Sequence, residues 1–432
     1  MTINLHSPLP LPCGATLKNR FAKAAMTEGL ADPCGIPGED LNNLYGLWSD
    51  GGAALLLSGN IMVDNDHLER PGNIVIDSEL NRELTDGLLA LAKHATRNDN
   101  HFWAQLSHSG RQTPKNVNPS PKAPSAVKVN LPGGQFGMPM AMSDDEISDI
   151  ITKFANAART VKDAGFTGVQ IHAAHGYLLS SFLSPLTNLR DDKYGGSLEN
   201  RARFLREVVA AVRSVVGKTF PVAVKLNSAD FQRGGFQFED SLQVAQWLAN
   251  DGIDLLEISG GNYEQPKLLG LAGLEEEEPQ NVAESTSQRE AYFVDFAKAM
   301  QAQVTIPLMV TGGFRTAAAM DFAVDSGAAD VIGIGRPMCT MPDAPEKLLN
   351  GLEKLPSPEK QLGMFPSWLG FLRNIGMFRA IEGFAVQYWF YAQIYALAEK
   401  GQMDTQVTPF QAFRMVEARN KHLISERKRL VC

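Results

Sequence analysis

The run SDDEISDIITKFANAARTVKDAGFTGVQI, residues 143–171, sets one helix before one strand and carries the pattern that the whole chain repeats. Ser143 followed by Glu146 forms a capping box, in which each side chain satisfies a backbone N–H of the first helical turn. Ile147, Ile150, Ile151, Phe154, Ala158 and Val161 then recur on one face at helical spacing. Gly168 to Ile171 is a short β-rich run. Similar runs fall near Phe21–Ala25, Ala53–Leu57, Phe102–Gln105, Val222–Leu226, Leu255–Ile258, Leu308–Val310 and Val331–Ile334, separated by longer helical stretches. Eight strand–helix units predict an α/β fold, the closed parallel (β/α)8 TIM barrel.

Between these units lie two irregular segments. Residues Gln112 to Met142 hold six prolines and form a long loop after the third strand, expected to roof the catalytic face. Ser259-Gly260-Gly261-Asn262-Tyr263 and its acidic continuation to Glu278 follow the sixth strand and are expected to line the same mouth. The helix after Gly195-Gly196 should open with Ser197 as N-cap and Glu199 in its first turn. Past residue 345 the pattern is helical only. The expected organisation is therefore a barrel over residues 1–345 and a C-terminal helical extension, 346–432, packed on it.

A chain of 432 residues with 44% hydrophobic content can bury a large core, and barrels of this class run past two hundred residues as one unit. Its formal charge of −8 and lack of a basic cluster in the main body argue against a nucleic-acid partner. Arg427-Lys428-Arg429 reads as a solvated tail. Cys13, Cys34, Cys339 and Cys432 have no C-x-x-C spacing, which points away from a zinc or iron–sulfur site and towards a reducing compartment. With no signal-like N-terminus and no long apolar span, the expectation is a cytoplasmic protein without a membrane partner; a homo-oligomer is compatible with the sequence.

Just past the fourth strand stands His172-Ala173-Ala174-His175-Gly176-Tyr177. Two imidazoles can donate hydrogen bonds to a substrate oxygen, and a phenol can deliver a proton. The same histidine pair could serve a metal, although no convincing third ligand stands near it. In a barrel the cofactor phosphate is usually held after strands seven and eight, where this chain has Gly312-Gly313 and Gly335-Arg336. Glycine lets backbone amides approach an anion, and arginine adds a cationic fork. These glycines could also form tight turns alone.

The stretch from His172 to Arg206 closely resembles the Old Yellow Enzyme family of FMN-dependent ene-reductases, also called the NADH:flavin oxidoreductase family. The likeness runs in order through Leu17-Lys18-Asn19-Arg20, Gln105-Leu106-Ser107-His108-Ser109-Gly110-Arg111, Arg289-Glu290-Ala291-Tyr292-Phe293, Thr311-Gly312-Gly313 and Gly333-Ile334-Gly335-Arg336-Pro337, covering residues 15 to 345. It implies noncovalent FMN, with Ala25, Met26, Thr27 and Gly59 against the ring. Gln105 would meet the flavin pyrimidine edge and Lys225 the N1–O2 edge, with the phosphate on Gly312, Gly313, Gly335 and Arg336. Lys225 could instead be snorkelling or paired within the barrel. Many relatives have proline in place of Ala25, arginine in place of Lys225, and some a cysteine in place of Thr27; lysine lacks arginine's bidentate fork.

The implied activity is reduction of activated alkenes such as enones, enals or nitroalkenes, with NADH or NADPH as hydride donor. His172 and His175 would bind the electron-withdrawing group and Tyr177 would protonate the α carbon. The rival enzyme reading acts mainly on quinones, nitro compounds or oxygen. A metal-dependent barrel hydrolase and a non-enzymatic FMN-binding protein are weaker alternatives.

Overall fold

The computed structural model describes residues 3–77, 81–131, 134–259, 297–360, 362–363 and 376–430. Eight parallel strands form the barrel, β1 (Phe21–Lys23), β2 (Leu55–Met62), β3 (His101–Ser107), β4 (Gly168–Ala173), β5 (Val222–Asn227), β6 (Leu255–Ser259), β7 (Leu308–Thr311) and β8 (Val331–Ile334), and a ninth two-residue strand, Ile74–Val75, pairs with the end of β2. Each barrel strand pairs with the next, and β8 returns to β1 through Ile332↔Phe21, Gly333↔Ala22 and Ile334↔Lys23, which closes the barrel. All eight expected strands are present. β2 runs to Met62, beyond the expected Leu57, because its register on β3 shifts between Leu57 and Asn60 and the pairing then resumes.

Two separate cores explain why these strands carry apolar residues on both faces. Inside the barrel, Ala22, Leu55, Leu57, Trp103, Ala223, Leu255, Met309 and Val331 pack with Leu9, Leu11 and Leu17. Those three leucines come from a small antiparallel hairpin, Leu9–Pro10 with Thr16–Leu17, and the hairpin plugs the barrel at the end where its strands begin. Gly168 is required by the filling: a Cβ there would meet the Trp103 ring at 2.4 Å. The second core lies between the strands and the surrounding helices.

Those helices are α1 (Glu39–Asp50), α2 (Arg82–Ala95), α3 (Asp144–Asp163), the short α4 (Leu178–Leu183), α5 (Leu198–Val216), α6 (Phe238–Asn250), α7 (Ala317–Asp325) and α8 (Ala344–Leu349). The capping box of Ser143 and Glu146 on α3 is formed, and Ser197 caps α5 by accepting from Asn200 N–H. Between β3 and α3 the long loop carries two two-residue strands, Lys122–Ala123 and Met140–Ala141, paired with each other.

The extension contributes α9 (Gly376–Lys400) and α10 (Pro409–Leu430). Its expected start, between residues 345 and 346, falls inside α8. It docks at the end of the barrel where strands β1 and β2 exit. The Arg70 guanidinium lies 3.9 Å from the Tyr391 ring centroid and donates to Tyr395 Oη at 3.4 Å, while Arg419 donates to Gly29 O at 3.1 Å. Arg427 corrects the reading of a solvated basic tail. It sits in the last turn of α10 and donates to Pro33 O at 2.8 Å and Asn65 O at 2.9 Å, since a guanidinium fork finds carbonyls in the loops it reaches. Cys34 is disulfide-bonded, which the expectation of a reducing compartment did not anticipate. No helix of the described residues is long and apolar enough to cross a membrane.

Candidate functional site

At the C-terminal end of β4 the chain turns sharply, and the turn sets the two histidines and the tyrosine. His175 adopts φ +63° and Gly176 φ +78°, a left-handed pair that folds the backbone back over the strand end. Clamps on both sides hold His175 in this conformation. Its N–H donates to Asn227 Oδ1 at 3.0 Å, and its carbonyl accepts from Gln112 Nε2 at 2.9 Å. Tyr177 then stands at the N-cap position of α4, with no side-chain cap bond. The ring centroids lie 5.1 Å apart for His172–His175, 4.8 Å for His172–Tyr177 and 6.5 Å for His175–Tyr177, all edge to face. The structure therefore brings the three expected catalytic side chains together.

Both imidazoles are held neutral near pH 7. Burial pushes the His172 pKa well below the usual value, with the neighbouring His175 and the Lys225 ammonium adding to it; His175 is lowered by burial and then by Lys225. His172 Nδ1 accepts from Ala174 N–H at 3.2 Å, so its proton sits on Nε2.

Beneath the histidines runs a buried polar chain. Lys225 Nζ lies 2.9 Å from Glu257 Oε1, Gln170 Nε2 donates to Glu257 Oε2 at 2.7 Å, and Gln105 Nε2 donates to Gln170 Oε1 at 2.7 Å. The carboxylate fixes the direction of the amides, because Gln170 must turn its donors to Glu257 and so its oxygen to Gln105. Gln105 therefore keeps its own carbonyl oxygen for an outside donor, as a flavin pyrimidine N–H would be. Lys225 is paired within the barrel, yet one carboxylate contact does not saturate an ammonium's three donors. Glu257 and Gln170 were missed as site residues. Their signal was a polar residue among the apolar residues that open each of two strands, Gly168 to Ile171 and Leu255 to Ile258.

The lip formed by β1 and β2 is partly open: Ala25, Met26 and Thr27 are half-buried where the preceding strand is buried. Met26 Sδ accepts from Cys339 Sγ at 3.6 Å, joining the β1 exit to the turn after β8. The Gly59 N–H donates to Glu28 Oε1 at 2.8 Å, and a Cβ there would meet Glu28 Oε2 at 2.2 Å and the Met26 carbonyl oxygen at 2.6 Å, so the backbone approach from the β1 exit also requires glycine. The Thr27 hydroxyl is also engaged, accepting from Asn60 Nδ2 at 3.4 Å and bonding the buried Glu69 carboxyl. Donation from Thr27 to a ring carbonyl would require it to release Glu69.

After β7, Gly312 and Gly313 take φ +102° and +82°, and nothing lies within 4 Å of a Cβ placed on Gly312. Two successive glycines with positive φ, one of them under open space, leave room for a ligand to approach the backbone there. Gly335 and the exposed Arg336 follow β8, with the Arg336 guanidinium 6.0 Å from the Phe390 ring of α9. Arg315, which the sequence reading passed over, stands beside the glycines but is taken up by Glu359 at 2.8 Å. The partly open lip, the Gln105 carbonyl oxygen that the amide chain leaves uncommitted and the open space over Gly312 suit an FMN ring and its phosphate.

Among the described residues one group lies close enough to hold a metal ion: Asp64, His67 and His108. Its hydrogen bonds oppose that role. His67 Nε2 accepts from Lys122 N–H and His108 Nδ1 accepts from Gly110 N–H, so each ring's other nitrogen carries a proton, and Lys153 Nζ sits 2.7 Å from Asp64. The expected contributions of Gly260 to Glu278 and of Arg289 to Phe293 lie outside the described residues.

Residues 4–354 match the model of the NADH:flavin oxidoreductase / NADH oxidase family. An NADH-dependent flavin oxidoreductase of Hypocrea jecorina is 37% identical over 373 residues, covering 80% of this chain and 89% of that protein. One of the same description from Neonectria sp. is 35% identical over 361 residues and 79% of this chain, but this chain spans only 47% of its length. The solved structure of an old yellow enzyme homologue from Zymomonas mobilis superposes with a TM-score of 0.67 at 27% identity, over 84% of this chain and 97% of that one. With FMN as cofactor and a reduced nicotinamide as hydride donor, the chain belongs to the NADH:flavin oxidoreductase / NADH oxidase family and is an FMN-dependent oxidoreductase of the Old Yellow Enzyme type.

Proposed function

We propose that this oxidoreductase reduces the carbon–carbon double bond of an activated alkene, an α,β-unsaturated carbonyl or nitro compound. Bound FMN supplies the hydride, received from NADH or NADPH, at one shared site. His172 and His175 hold the electron-withdrawing group by its oxygen, where negative charge develops as hydride arrives at the β carbon. Neutral imidazole donors suit this task, since they bind a carbonyl without first protonating it. Tyr177, with its ring 4.8 Å from His172, delivers the proton to the α carbon. Sequential use of one site gives ping-pong kinetics.

The observation that carries this reading is the grouping of two neutral imidazoles and one phenol at the exit of β4, beside the Lys225 ammonium. Two measurements test it. Phenols should bind the oxidised protein through their oxygen and perturb the flavin spectrum, and His172→Ala and His175→Ala should each weaken that binding. A panel of enones, enals, nitroalkenes, quinones and oxygen should show alkenes turned over. Turnover confined to quinones, nitro groups or oxygen would favour the rival acceptor class.

A further inference from the structure

We propose that Ser259 is a positioning residue that fixes His175 as an Nδ1–H donor. The inference rests on the reading that the histidine pair binds a substrate oxygen. His175 Nε2 lies 2.6 Å from Ser259 Oγ, and this contact can run in either direction. If Nε2 carried the proton, Nδ1 would be a bare lone pair, and with Nε2 already taken up by Ser259 the ring would have no N–H to offer an oxygen shared with His172, 5.1 Å away between ring centroids. The serine proton would also need a second acceptor, and Ser259 Oγ makes no other hydrogen bond among the described residues. If instead Oγ–H donates to Nε2, the hydroxyl is satisfied and Nδ1 bears the proton. Both rings then present N–H.

The framework supports a fixed assignment. Strand register sets Asn227 of β5 opposite Ser259 of β6, so neighbouring rim positions grip the same histidine, one by its backbone N–H and one by its ring. Asn227 cannot turn its amide freely, since its Nδ2 donates to Asp230 Oδ1 at 3.3 Å. Burial, and after it the Lys225 charge, lower the His175 pKa and select a neutral ring rather than an imidazolium, so a tautomer must be chosen. In His172 a backbone amide makes that choice; in His175 the serine hydroxyl makes it.

The experiment uses the FMN-loaded protein with 15N-labelled histidine, in which the eight histidine rings give separable 1H–15N correlations and His175→Ala identifies one of them. The expected spectrum shows protonated Nδ1 and bare Nε2 for His175. Ser259→Ala should lose that bias and bind p-hydroxybenzaldehyde about tenfold more weakly, the scale of one hydrogen bond. Ser259→Thr, which keeps the hydroxyl, should restore both. A protonated Nε2 in the parent protein overturns the proposal without recourse to any variant. So does a Ser259→Ala protein with unchanged tautomer, or one with an altered tautomer and unchanged phenol affinity. Phenol binding that ignores His172→Ala and His175→Ala, with the Nδ1–H tautomer confirmed, would instead overturn the substrate-oxygen role and leave the tautomer assignment standing.

Discussion

Lys225 of β5 and Glu257 of β6 stand opposite one another in register, both buried, with Nζ 2.9 Å from Oε1. The contact is an ion pair by distance, not an aligned hydrogen bond, because Oε1 makes no well-directed bond. One buried charge thus balances another directly below the proposed flavin edge. Glu257 also sets the direction of the Gln170 and Gln105 amides.

Glu257→Gln should therefore have two effects. Breaking a buried pair by removing one partner costs ~3–5 kcal/mol, which chemical denaturation of the FMN-loaded protein should register. The uncompensated Lys225 charge should also raise the flavin reduction potential, by favouring the reduced anionic cofactor. A potential unchanged from the parent's would separate Lys225 from the flavin.

Tyr177→Phe removes a hydroxyl and keeps the ring packed against His172. Flavin reduction by NAD(P)H needs no proton from this group and should persist. Reduction of enones should fall by ~10²–10⁴-fold, the usual contribution of a positioned acid. Nitroalkenes should still accept hydride, because the nitronate formed is stable enough to leave and be protonated in solution. Stopped-flow kinetics with both substrates resolves the steps; full enone turnover would assign the proton to another group.

Arg336→Ala should weaken FMN retention by roughly 1.5–3 kcal/mol, the value of a hydrogen bond to a charged group. Gly312→Ala should weaken it as well, because a side chain at φ +102° is strained and would occupy the space above the amides. Equilibrium dialysis of FMN checks both. Undiminished retention in the two variants would move the phosphate elsewhere.

Lys23 offers a pH test of the fold. It is fully buried, donates to Leu57 O at 2.7 Å and lies 4.3 Å from the Trp48 ring, and burial lowers its pKa from 10.5 to about 8. Between those two values the unfolded chain binds the proton that the folded chain has lost, so stability from this group rises with pH across that window and is flat below it. Denaturation midpoints compared with Lys23→Met should show this rise in the parent alone.

The barrel was legible because each strand is a mostly apolar run bounded by turn or cap residues, and because the capping signals at Ser143 and Ser197 are local. His172, His175 and Tyr177 stood out for the same reason, lying within six consecutive residues. Glu257, Gln170 and Asn227 were not. Their roles come from register across three strands, and no local pattern states which residue of β5 faces which of β6. The docking of Arg70 on Tyr391 joins residues more than three hundred positions apart, so sequence periodicity carries no trace of it. Arg427 was misread because charge density alone cannot show a carbonyl waiting in a distant loop.

The most direct measurement is a single turnover. The protein is reduced anaerobically with one equivalent of NADH or NADPH, freed of nicotinamide, and mixed with an enone while flavin absorbance and product are followed. The expected result is return of the oxidised flavin spectrum with one equivalent of the saturated carbonyl compound. A flavin that stays reduced in the presence of enones, enals and nitroalkenes, yet reoxidises at once with a quinone or oxygen, would contradict the assignment of this site to activated alkenes.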